Sequence, residues 1–166
     1  LLSGRYGVTP EYVTRPVDEA QRLVDAAAAV LIGDVALRAL TEAPRSGLQV
    51  IDLGAAWREW TGQPMVFAVW AARRDFAEAH PGQVKDVHEA FIRSRELSLA
   101  EIDELSVVAA RWEPFEAATL ARYFRILDFS LGERQLGGLR EFAARAAALG
   151  EVPPLPAGGP RFVFES

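Results

Sequence analysis

The sequence predicts an α/β fold with a helical C-terminal half, and three observations carry that expectation. Short apolar runs alternate with helical patterns through the first part of the chain. Met65 to Ala71 is an almost unbroken apolar run. Such a run suits a strand covered on both faces, in the middle of an α/β sheet or at the join between two lobes, because a one-sided sheet shows polar alternation instead. After Arg74 the strand patterns give out and four helical stripes follow in series.

In order, Leu1 to Gly7 reads as the last turn of a helix closed by Gly7, and with no initiator Met the chain is expected to begin mid-protein. Glu11 to Arg15 lies between Pro10 and Pro16 and reads as a short strand. Asp18 with Gln21 makes a helix start whose buried face carries Leu23 and Val24. Ala27 to Ile32 is apolar throughout, and Gly33-Asp34 turns it into a helix bearing Val35, Ala36, Leu37 and Leu40. Leu48 to Leu53 is a third strand, leading into a helix on which Ala56, Trp57 and Trp60 share a face until Gly62 and Pro64 stop it. Strand spans are expected at Val30 to Ile32, Val50 to Leu53 and Met65 to Ala71, with parallel pairing through right-handed crossovers.

Beyond the expected crossover, the helical spans are Val84 to Arg95, Leu99 to Arg111, Glu116 to Ile126 and Glu133 to Leu149. Ser98 with Glu101 has capping-box spacing, with Leu97 and Ile102 placed as a staple, and Ser130 with Glu133 repeats the spacing. Pro153 to Pro160, with four prolines and two glycines, reads as an irregular surface run before Phe162-Val163-Phe164. The composition shift near Ala72 is the one candidate boundary.

Composition narrows the function classes. A chain of 166 residues, half of them hydrophobic, can bury a core of its own. No apolar segment reaches the roughly 18 residues of a bilayer span. No export signal is legible, and the absence of cysteine suits a reducing compartment, so the expected location is cytoplasmic. A net charge of −5 argues against nucleic acid and anionic membranes as partners; an anionic ligand needs a local set of donors. His80 and His88 stand apart without cysteine, so no metal is expected. Gly132, Gly137 and Gly138 form no phosphate loop, and Glu101, Asp103 and Glu104 suit the first turn of a helix.

Two turns are the better candidates. Gly33-Asp34 joins an expected buried strand to a helix, at the carboxyl end of a sheet where ligands bind in α/β folds, although Asp34 could equally cap its helix. Thr61-Gly62-Gln63-Pro64 places small and polar groups just before the expected crossover, or is simply a C-cap and turn. Trp57, Trp60, Phe67 and Trp70 read as core by their spacing.

The motifs Asp52-Leu53-Gly54, Trp57-x-x-Trp60-Thr61-Gly62-x-Pro64, Val66-Phe67-Ala68-Val69-Trp70-Ala71 and Leu31-Ile32-Gly33-Asp34 occur together and in order. In them the chain resembles the chorismate dehydratases of menaquinone biosynthesis, the MqnA type. The resemblance runs from Arg5-Tyr6-Gly7 to Leu127-Asp128-Phe129-Ser130-Leu131-Gly132 and the helix after it. It implies a type II periplasmic-binding-protein-like fold of two lobes, partial here because the N-terminal part is missing. Residues 1–64 would be the later part of an inserted α/β lobe, 65–72 the crossover strand, and 73–166 the helical return to the first lobe. The implied reaction is dehydration of chorismate to 3-[(1-carboxyvinyl)oxy]benzoate on the futalosine route, without cofactor or metal. Loss of a ring proton and the neighbouring hydroxyl makes the ring aromatic, so the protein has chiefly to orient a dianion and assist proton movement. Catalytic side chains are then expected outside this chain, which alone would be inactive, and Gly33, Asp34, Thr61 and Gly62 would contact the substrate. The rival readings are a solute-binding protein of the same fold for a small anion, and an interaction domain presenting its helical stripes.

Overall fold

The computed structural model describes residues 1–18, 23, 25–156 and 159–163. Among them every regular element is a helix: α1 (Leu2–Tyr6), α2 (Gly33–Ser46), α3 (Leu53–Thr61), α4 (Arg74–Ala79), α5 (Pro81–Ala100), α6 (Ile102–Ala109), α7 (Ala117–Ile126) and α8 (Glu133–Ala148). None of these helices is long and apolar enough to cross a membrane.

The expected α/β architecture, and with it the type II periplasmic-binding-protein-like two-lobe fold, is overturned, because no described residue pairs in a sheet. The runs at 30–32 and 65–71 lie outside any regular element; so does 50–52, while Leu53 opens α3. Ile32 keeps extended dihedrals, φ −134° and ψ 164°. The expected burial of the crossover run fails too, with Phe67 76% and Trp70 84% exposed. The physical reason is that an apolar run supplies side chains for a sheet face, whereas a strand exists only through hydrogen bonds to a neighbour. The short run Glu11 to Arg15 is likewise exposed and unpaired in any ladder.

The chain divides into two units, Leu1–Met65 and Val66–Ser166. In the first, α3 buries Ala56 and Trp57, the latter only 2% exposed. Its start follows from the sequence, since Asp52 accepts the Ala55 amide at 2.9 Å and so caps the helix. Its end does too, because Gly62 takes φ 72°, a left-handed conformation open to glycine without strain. At α1, Gly7 closes the helix as expected: its amide donates to Ser3 O at 3.1 Å and the Val8 amide to Leu2 O at 3.1 Å.

In the second unit, α6 and α7 are the most closely packed helix pair. Ile102 and Ser106 of α6 and Leu120 and Ala121 of α7 are buried, and α8 buries Leu136 and Gly138. The buried Ser106 hydroxyl is satisfied by donating to Ile102 O at 2.6 Å. Across the pair, Arg125 meets Asp103 at 2.6 Å. The spans at Val84 to Arg95, Glu116 to Ile126 and Glu133 to Leu149 agree with α5, α7 and α8.

Both capping boxes fail. Helix α5 runs through Ser98 to Ala100, and the next helix starts from Glu101, φ −116°, without a side-chain cap. A mid-helix Ser can keep helical geometry, so spacing alone does not make it a cap. Gly132, not Ser130, is the N-cap of α8, because the Ser130 hydroxyl is taken by Asp128 at 2.6 Å. Gln21, Val24 and Phe164 lie outside the described residues.

Candidate functional site

Gly33 opens α2 with φ 63°, so a residue with a Cβ is strained there. The N-cap is Ile32, whose side chain has no oxygen to offer, and among the described residues no side chain caps the helix. Asp34 does not cap it either: it stands in the first turn, where the partial positive charge of the helix end favours a carboxylate. Among the described residues the leading amides of α2 are thus without side-chain acceptors.

Thr61-Gly62 lies at the opposite kind of helix end. The Thr61 hydroxyl donates to Trp57 O at 2.9 Å and accepts from the Gln63 amide at 3.2 Å, while the Gly62 amide donates to Arg58 O at 2.8 Å. Those amides are therefore engaged in ending the helix. The turn keeps acceptors: a lone pair on Thr61 Oγ1, since a hydroxyl can accept twice, and the last carbonyls of the helix. Among the described residues no hydrogen bond joins this turn to Gly33 or Asp34.

One pair of residues was not legible as part of a site. Arg5 reaches from α1 to α3, donating through Nη1 to Ala56 O and through Nη2 to Glu59 Oε2, the latter at 2.8 Å. Beside it, a Cβ on Gly4 would stand 2.7 Å from the Trp60 ring. These contacts span more than fifty positions (51 and 54 for the two bonds), and local periodicity carries no signal of them.

The aromatic residues divide. Trp57 is core and meets Trp60 edge to face at 5.9 Å, as expected. Phe67 and Trp70, expected in the core, are exposed, with Trp70 stacked on Phe91 at 4.5 Å. His80 lies against Phe76 at 4.8 Å. No group of three or more His, Cys, Asp and Glu among the described residues could hold a metal ion. At the start of α8, Asp128 accepts from the Ser130 hydroxyl, the Ser130 amide and Gln135 Nε2, at 2.6, 2.9 and 2.7 Å. The Ser130 hydroxyl, then its amide, then Gln135 hold this carboxyl below its usual 3.8, since each bond favours the charged form. An open hollow lined by Arg140, Ala144, Pro154 and Leu155 belongs to the second unit and includes none of the candidate residues.

Comparison with known proteins places this geometry in context. The family model described as menaquinone biosynthesis matches residues 1–148. A 1,4-dihydroxy-6-naphtoate synthase of Thermus thermophilus is 34% identical over 119 residues, which is 68% of this chain and 43% of that protein. The chain therefore spans less than half the length of this curated relative.

Proposed function

The chain belongs to the menaquinone-biosynthesis family, and from that premise we propose that the full-length protein is an enzyme of that pathway, a hydro-lyase that dehydrates chorismate to 3-[(1-carboxyvinyl)oxy]benzoate. The observation that supports this reading is that the residues matched by the family, 1–148, include both candidate turns, Leu31 to Asp34 and Trp57 to Pro64. In this reading the uncapped amides at Gly33 and Asp34 receive a substrate carboxylate, in the way helix N-termini receive anions. Thr61 and Gly62 take a different part. Their end of α3 carries partial negative charge, which disfavours a carboxylate. With its hydroxyl proton and the neighbouring amides engaged, Thr61 Oγ1 accepts a bond from the substrate's ring hydroxyl, and Gly62 keeps the turn open beside it.

The substrate loses a ring proton and a hydroxide, which leave together as water, and the gain of aromaticity supplies much of the driving force. What the protein must add is orientation and a path for the proton. The relative's name supports a second reading within the same pathway, formation of 1,4-dihydroxy-6-naphthoate.

The test is a chromatographic assay of the full-length protein with chorismate and EDTA. The expected outcome is the aromatic enol ether product in the parent and a loss of turnover of about a hundredfold in Gly33→Val, the scale at which a misplaced substrate costs rate. In the same assay, His88→Ala stays near the parent. Product formation that needs added metal, or full activity in Gly33→Val, counts against this mechanism. No product from chorismate in the parent turns the argument to the naphthoate-forming reading.

A further inference from the structure

Resting on the proposed role of Thr61 and Gly62 at the substrate, we infer that Gly4 and Arg5 are positioning residues that set where this turn stands. Arg5 holds two acceptors on α3, the carbonyl of Ala56 and the carboxylate of Glu59. They are three positions apart, hence neighbours on one face of the helix. A planar guanidinium that grips two points one turn apart fixes the rotation of α3 about its own axis, which a single contact does not. The Arg5 side chain is 23% exposed against 68% for Glu59, so its charge is partly withdrawn from water and its bonds are correspondingly firm.

Gly4 fixes the second coordinate. A Cβ there would lie 2.7 Å from Trp60 Cη2, so the α1 backbone rests directly against the indole and sets the spacing of the two helices. Glycine inside a helix is less favourable than alanine, and this close approach is what the missing side chain permits. Trp60 immediately precedes Thr61. The turn is in turn bound to its helix by the bonds from Thr61 to Trp57 O, from Gln63 to Thr61 and from Gly62 to Arg58 O. Any rotation or shift of α3 therefore carries Thr61 and Gly62 with it, and α1 governs the site without touching substrate.

The experiment uses the full-length protein and the variants Arg5→Ala, Arg5→Lys and Gly4→Ala. Two readouts are taken: steady-state constants for chorismate, and hydrogen exchange of the Gly62 and Gln63 amides, with α8 as internal reference. In Arg5→Ala both amides exchange about tenfold faster, the scale of one charge-assisted hydrogen bond, while α8 is unchanged. KM rises about tenfold and kcat stays near the parent's. Arg5→Lys lies between, because an ammonium reaches one acceptor but not both in the guanidinium's geometry. Gly4→Ala follows Arg5→Ala. Unchanged exchange at Gly62 and Gln63 overturns the inference, and so does a fall in kcat that tracks the folded fraction with KM unaltered. If the parent gives no product, the functional reading fails by itself; the exchange measurement then still decides whether Gly4 and Arg5 hold the turn.

Discussion

Helices α3 and α5 secure themselves in opposite ways. The first is 9 residues long, capped by Asp52, closed by Gly62 and buried through Ala56 and Trp57. The second is 20 residues long and buries none of them. It rests on its own hydrogen-bond ladder and on exposed pairs such as Lys85 with Glu89 at 3.7 Å and Arg93 with Glu89 at 3.8 Å. Pairs of that kind contribute about 0.2–0.5 kcal/mol each. An isolated helix shorter than about 12–15 residues is marginal in water, so α3 depends on tertiary contact and its caps, whereas α5 is long enough to persist with little. Length and burial are interchangeable supports for a helix, but only contacts with a neighbour fix where a helix stands, and α3 has them in its buried face and in the Arg5 bonds that hold the candidate turn at Thr61 in place.

The sharpest way to break this comparison is to truncate one aromatic residue in each helix. Trp57→Ala should destabilise the first unit by about 3–5 kcal/mol, the usual cost of emptying a buried aromatic site. Phe91→Ala, which loses a half-exposed stack on Trp70, should cost about 1 kcal/mol. Chemical denaturation followed by exchange mass spectrometry reads each unit separately. Equal losses in both would show that α5 is anchored by more than its own ladder.

What was legible follows the same division between local and distant causes. The stop at Gly62, the closure at Gly7, the buried face of Ala56 and Trp57, and the helices α7 and α8 were read correctly because backbone conformation and helical period are local properties. The strands at Val30 to Ile32, Val50 to Leu53 and Met65 to Ala71 were not. Their apolar runs are real, yet pairing is a property of two segments, and one segment's composition does not name its neighbour. For the site, Gly33, Asp34, Thr61 and Gly62 were located at helix ends by their turn chemistry. The chemical state of the Thr61 turn, with the Thr61 hydroxyl and the Gly62 and Gln63 main-chain amides engaged, depends on Trp57, Arg58 and Gln63 and became visible only in the fold. Gly4 and Arg5 act across a gap that periodicity does not bridge.

A smaller effect tests the boundary between α5 and α6. Were Ser98 an N-cap, Ser98→Ala would cost about 1 kcal/mol. Since Ser98 stands inside α5, alanine replaces a poorer helix former, and the change should be neutral to slightly stabilising, within about 0.5 kcal/mol. Thermal melting of the two proteins side by side decides this, a clear drop in Tm placing the helix start back at Ser98.

The smallest effect belongs to Asp128, whose role at α8 parallels that of Asp52 at α3 but through a loop rather than a cap. Its carboxylate gathers the Ser130 hydroxyl and amide and the Gln135 side chain, tying the segment before α8 to the helix's first turn. These bonds favour the ionised form, so the folded pKa lies below the ordinary 3.8. The sign follows: the contribution is fully present above 3.8 and is lost as pH falls from there through the lower folded value. Because the group is exposed, water screens much of it, and the loss should appear as fraying of the first turn of α8 rather than as unfolding. Following the Asp128 carboxyl carbon by NMR against pH should give a midpoint below 3.8. In Asp128→Asn, whose amide nitrogen cannot accept from Gln135, exchange at the start of α8 should already be faster at neutral pH and should lose its acid dependence. A midpoint at or above the ordinary value would show that the three bonds do not hold the carboxylate in solution, and that α8 is secured by the burial of Leu136 and Gly138 rather than by this loop.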